Sequence, residues 1–133
     1  MRKYAQQRVA TLLRRLAFCM NRAARLPDPD SIHDLRVATR RFQQSLRVFE
    51  QFFPRGQTRK IRRLLRKIME LSGEIRNRDI ALDLIQNSGG PAESALSSGW
   101  REEKKQFQTE LEHLLRRWGS RDLARRWSAR LGL

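Results

Sequence analysis

The sequence predicts an all-α fold, an antiparallel four-helix bundle closed by a short C-terminal helix, from three observations. Apolar residues recur three and four positions apart along most of the chain, no segment alternates as a strand would, and clusters of breakers punctuate the pattern. The breakers are Leu26-Pro27-Asp28-Pro29-Asp30-Ser31, Phe53-Pro54-Arg55-Gly56, Asn87-Ser88-Gly89-Gly90-Pro91 and, more weakly, Trp118-Gly119-Ser120. The first helix, about 3–25, aligns Val9, Leu12, Leu13, Leu16, Met20 and Ala23 on one face. The second, about 31–53, aligns Leu35, Ala38, Phe42, Leu46, Phe49 and Phe53, with Asp30 or Ser31 as its N-cap. The third, about 57–86, carries Ile61, Leu64, Leu65, Ile68, Leu71, Ile75 and Leu82. The fourth, about 92–118, carries Trp100, Phe107, Leu111, Leu114, Leu115 and Trp118. A tail helix, about 121–131, offers Leu123, Trp127 and Leu131. Short connections between long amphipathic helices favour antiparallel neighbours.

With 133 residues the chain suits a single domain that can bury a core without disulfides or metals. Cys19 is the lone cysteine, which suits a reducing, cytoplasmic setting and leaves no thiol framework. No apolar run approaches the roughly 20 residues that span a bilayer, so no membrane partner is expected. Residues 1–27 are basic and free of acids, a composition shared with transit peptides, but they carry the first helix's core pattern.

Charge sets the expected function. The chain has 29 basic residues against 14 acidic ones, and 24 of the basic residues are arginine. Arginine presents a planar fork of five donors that matches phosphate oxygens bidentately, whereas lysine is a hydrated point charge. Residues 1–79 hold 20 basic and 7 acidic residues, residues 80–133 only 9 and 7. Such a field attracts polyanions: polyphosphate, nucleic acid or anionic lipid.

Helical spacing places the charges in lines. In the second helix His33, Arg36, Arg40 and Arg47 fall along one flank of the core face, over about 21 Å of axis. Arg41 lies on the far shoulder of that stripe. The third helix presents Arg59, Arg62, Arg63, Arg66 and Lys67, and the first spaces Arg8, Arg15 and Arg22 seven apart. A merely solvated face mixes signs, as Arg101-Glu102-Glu103-Lys104-Lys105 does in the fourth helix. The three stripes do not mix. Like charges one turn apart cost a helix about a few tenths of a kcal/mol each, so an external anion is expected to neutralise them. Arg76 and Asp79, by contrast, lie toward the core of the third helix and read as an ion pair that fixes packing.

Other chemistry is thin. The chain has no phosphate-cradling Gly-rich loop, no HExxH and no Cys/His quartet. His33 and His113 stand on different helices, and the basic stripes lack the carboxylates a metal would need. The expectation is a non-enzymatic protein with no cofactor and no metal. Nucleic acid is the alternative polyanion, though aromatic residues for base stacking are not interleaved with the stripes.

The string Ile32-His33-Asp34-Leu35-Arg36-Val37-Ala38-Thr39-Arg40-Arg41-Phe42 resembles the signature of the CHAD family, the conserved-histidine α-helical domain. A second stretch, LSGEIRNRDI at Leu71–Ile80, is similar to the family's LGxxRDxDV segment, departing from it at Asn77-Arg78. The resemblance implies an all-α fold whose basic surface binds inorganic polyphosphate, in a bacterial cytoplasm or at polyphosphate granules. His33, Arg36, Arg40 and Arg41 match the motif residue by residue; Arg59, Arg62, Arg63, Arg66 and Lys67 match only as a basic segment. Metal or phosphate handling through His33 is the other role the resemblance suggests. A full domain of this family has two pseudo-symmetric four-helix halves, and the chain covers the first. A homodimer could replace the second half, through apolar residues near Trp118 and Trp127, or those tryptophans close the core.

Overall fold

The computed structural model describes residues 1–88 and 95–133, without the side chains of residues 120–122. Among the described residues the elements are α1 (Arg2–Arg25), α2 (Pro29–Val48), a 3₁₀ turn (Glu50–Phe52), α3 (Arg55–Asn87), α4 (Ala95–Trp118) and α5 (Ser120–Leu131). Gly89–Pro91, in the third breaker, and residues 92–94 of the expected fourth helix lie outside the described residues.

Local chemistry explains the boundaries. α1 stops at Leu26, ahead of Pro27, with Arg22 and Arg25 in the last turn where cations suit the helix dipole. The cap of α2 is Asp28, not Asp30 or Ser31: its carboxylate accepts from the Ser31 N–H at 2.8 Å. Pro29 then takes the first helical position, where its missing N–H costs nothing. Ser31 is buried instead, donating its hydroxyl to Leu26 O at 2.6 Å and tying the turn to the end of α1. α2 also ends earlier than the expected 53. After Val48 the chain tightens into the 3₁₀ turn, which lets Phe53 enter the core at 5% exposure just before Pro54. Gly119, at φ 41°, makes the break between α4 and α5, and Gly132, at φ 70°, is the left-handed stop after α5.

α1 packs on α2, α2 on α3 and α3 on α4, while α1 touches α4 and so closes the bundle. The expected faces of α1 and of α3 as far as Ile75 are buried; Leu82 is half-buried. Four aromatic positions, Phe49, Trp100, Phe107 and Trp118, are likewise half-buried. α5 lies across α1, α3 and α4, and its Trp127 stacks on Phe42 with centroids 5.8 Å apart and planes 9° apart. Trp127 is 1% exposed, so it closes the core rather than offering an intermolecular contact. Cys19 is buried too, and burial pushes its thiol above the ordinary value. No described helix is long and apolar enough to cross a membrane.

α3 is the longest helix, and its buried residues stop at Ile75. Beyond that point α3 and α4 lean on each other through charge. Arg78 donates Nε and Nη2 to Glu103 Oε2 at 3.0 and 2.8 Å, pairs with Glu74 on its own helix, and sits 4.8 Å from the Phe107 ring centre. Lys104 Nζ meets Asp79 Oδ1 at 2.5 Å. The hydrogen bonds that Arg78 donates to Glu103 raise its guanidinium further above its already high pKa. The expected Arg76–Asp79 pair does not form: Asp79 is taken by Lys104, and Arg76 points toward α2.

Candidate functional site

The seam between α2 and α3 gathers cations from both helices. Because the helices are antiparallel, the start of α2 meets the end of the buried part of α3, where Arg76 Nη1 lies 3.4 Å from His33 Nδ1. One turn along, Arg36 Nη1 donates to Met69 O at 2.8 Å and to Ser72 Oγ at 2.9 Å. Gly73 makes this possible: a Cβ there would stand 3.0 Å from Arg36 Nη1. At the far end Arg62 Nη2 donates to Leu46 O at 3.2 Å and reaches Glu50 Oε2 at 3.4 Å.

Around the Arg62 tie, at the start of α3, the seam opens into a cleft of about 480 Å³. It is lined by Gln43, Arg47 and Glu50 on one side and Arg55, Thr58, Arg59, Arg62 and Arg66 on the other. α3 begins here with no acid in its first turn, so its dipole and its arginines add to one positive field.

Pairing decides which of these charges are available. Arg40, Arg47, Arg55, Arg59, Arg66 and Arg76 carry no salt bridge among the described residues. Arg36 is held partly out of water, and burial first, then Arg40 and Arg76, lower its pKa. Apart from Arg62, which pairs with Glu50, the seam is an uncompensated cation line, and an anion lying along it would relieve that repulsion.

The expected residues divide among three faces. His33, Arg36, Arg40, Arg47, Arg59, Arg62 and Arg66 belong to the α2/α3 seam or its cleft. Arg63 and Lys67 line a different groove, beside α4 and α5, which Arg66 also borders. Arg22 faces the α1/α2 seam, where Asp34 Oδ2 neutralises it at 2.6 Å. Arg41, seven residues after Asp34, shares that flank of α2, and Arg8 and Arg15 continue the Arg22 line down α1. Arg15 rests 5.4 Å from the Phe18 ring centre. Arg41, Arg8, Arg15 and Arg22 are therefore a separate face from the cleft.

Sequence reasoning missed Arg76 and Arg55 as site residues, and Gly73 as the space for Arg36. The available signal was the seven-residue spacing Arg62–Met69–Arg76, which puts all three on the flank of α3 that meets α2. No group of three His, Cys, Asp or Glu that could hold a metal occurs among the described residues, and the neighbour of His33 Nδ1 is the Arg76 guanidinium.

Neither a curated protein nor a solved structure matches the chain. A family model described as the CHAD domain matches residues 5–132, nearly its whole length, and the chain belongs to that family.

Proposed function

We propose that the protein is a non-catalytic binding module for inorganic polyphosphate, which lies along the α2/α3 seam. Polyphosphate binding is what membership of the CHAD family implies, and the observation that carries the reading is the unpaired cation line itself. Arg36 would act as a fixed anchor: its Nη1 is committed to α3, so Nε and Nη2 are oriented before any ligand arrives. Arg40, Arg47, Arg59 and Arg66 are exposed or line the cleft, and each can fork onto consecutive phosphate oxygens. Binding releases counterions from the polymer, so affinity falls with salt.

The donor set favours holding over cutting. Phosphoryl transfer generally relies on cations bridging phosphate oxygens and a group positioning the nucleophile. The carboxylate in the cleft, Glu50, is within 4 Å of Arg62. Against nucleic acid, the nearby rings face inward: Phe42 and Phe53 are 0% and 5% exposed, and Phe49 is half-buried against Tyr4. Such a module would work where polyphosphate accumulates, in the cytoplasm and at its granules.

The test is displacement of fluorescent polyphosphate by unlabelled polyphosphate, single-stranded DNA and duplex DNA at one salt concentration. Polyphosphate is expected to compete at least tenfold better per phosphate. Equal competition by either DNA would overturn the assignment.

A further inference from the structure

A second groove, of about 800 Å³, runs where α3, α4 and α5 meet, and its chemistry differs from that of the cleft. Leu64, Leu114 and Trp118 contribute apolar surface to its lining. Lys60, Arg63 and Lys67 stand along its α3 wall, with Arg117 and Arg130 on the opposite walls. The acid in its lining, Glu70, lies 3.9 Å from Lys67 and neutralises little. The α2/α3 cleft has no such apolar lining. Polyphosphate, which is polar along its whole length, would leave that surface unused.

The occupant must match both features. A second copy of this chain is disfavoured, because the chain carries +15 and the groove's walls are cationic. The groove continues along the α3/α4 seam past Leu71 and His113, sharing Lys67, Leu114 and Arg117 with the adjoining hollow. From Lys60 to Leu71 it follows α3 for about 16 Å, three turns of helix. Helical walls, apolar surface between them and charge on both sides describe a seat for an amphipathic helix.

We propose that this groove docks an acidic amphipathic helix of a partner protein. The helix would lay leucine-like side chains on Leu114 and Trp118 and present Glu or Asp to Lys60, Arg63, Lys67 and Arg117. This site is independent of the polyphosphate assignment.

The test uses the full chain and two labelled peptides of identical Leu/Glu composition. One gathers its leucines on a single helical face; the other disperses them. Fluorescence anisotropy is expected to show the patterned peptide binding at least tenfold tighter. Leu114→Glu should abolish that preference, and Lys67→Glu/Arg117→Glu should weaken the patterned peptide at least tenfold should the first variant not fold. Equal affinity for both peptides would reduce the groove to a charged patch and overturn the proposal. So would displacement of the patterned peptide by dodecyl phosphate at equal or lower concentration, which marks a small-amphiphile pocket, or failure of the protein to bind it.

Discussion

The two ends of α3 use the same side chain in opposite ways. Toward its start, Arg59 and Arg66 face α2 and solvent with no carboxylate in reach, beside Arg40 and Arg47. Toward its end, Arg78 is surrounded by Glu74, Glu103 and the Phe107 ring, and Lys104 by Asp79. Arginine content alone therefore says little about ligand binding. What separates the two regions is where the acids fall: the α3/α4 hairpin pairs its cations with Glu74, Glu103 and Asp79, whereas the α2/α3 cleft is lined by one acid, Glu50, which pairs with Arg62. A charge that is satisfied internally stabilises; a charge left unsatisfied on a rigid seam is available to an external anion.

That contrast can be broken by mutation. Arg40→Ala/Arg47→Ala/Arg59→Ala removes three exposed forks, and Ala is a good helix former, so the fold should persist. At about 1.5–3 kcal/mol per charge-assisted bond, polyphosphate affinity should fall at least about 100-fold, read by isothermal titration calorimetry. Arg78→Ala should do the reverse, costing about 1–3 kcal/mol in urea unfolding while leaving affinity within about twofold. Gly73→Ala sharpens the comparison further. Replacing a mid-helix glycine by alanine gains about 1 kcal/mol of helix propensity, yet the new Cβ presses on Arg36 Nη1. Stability should hardly change while affinity falls several-fold, and unchanged affinity would show that Arg36 is only a structural tie. His33→Ala should have the smallest effect, about two- to threefold in affinity, since it removes one exposed contact beside Arg76.

Much of this architecture was legible in the sequence because it depends on periodicity. The buried faces of α1 and α3 follow from spacing alone, and so do the stripes His33–Arg36–Arg40–Arg47 and Arg59–Arg62–Arg66. Pairing was not legible, because it depends on how two helices slide past one another. A wheel drawn on α1 cannot show that Arg22 meets Asp34, nor one on α3 that Asp79 prefers Lys104 to Arg76. Nor could it show Arg36 reaching the carbonyl of Met69 across Gly73. The cap was missed for a local reason: Pro29 reads as a breaker, but at the first helical position it starts α2 and makes Asp28 the cap. Spacing also makes the stripes look like one site, whereas the bundle turns Arg63 and Lys67 toward a groove beside α4 and α5.

The most direct measurement is the salt dependence of polyphosphate binding for three proteins: the wild type, the Arg40/Arg47/Arg59 alanine variant and Arg78→Ala. A plot of log K against log salt concentration counts the charges that contact the polymer. The α2/α3 account predicts a slope shallower by roughly one unit for each groove arginine removed, and an unchanged slope for Arg78→Ala. Parallel lines for the wild type and the groove variant, or an equal loss of slope in Arg78→Ala, would contradict it.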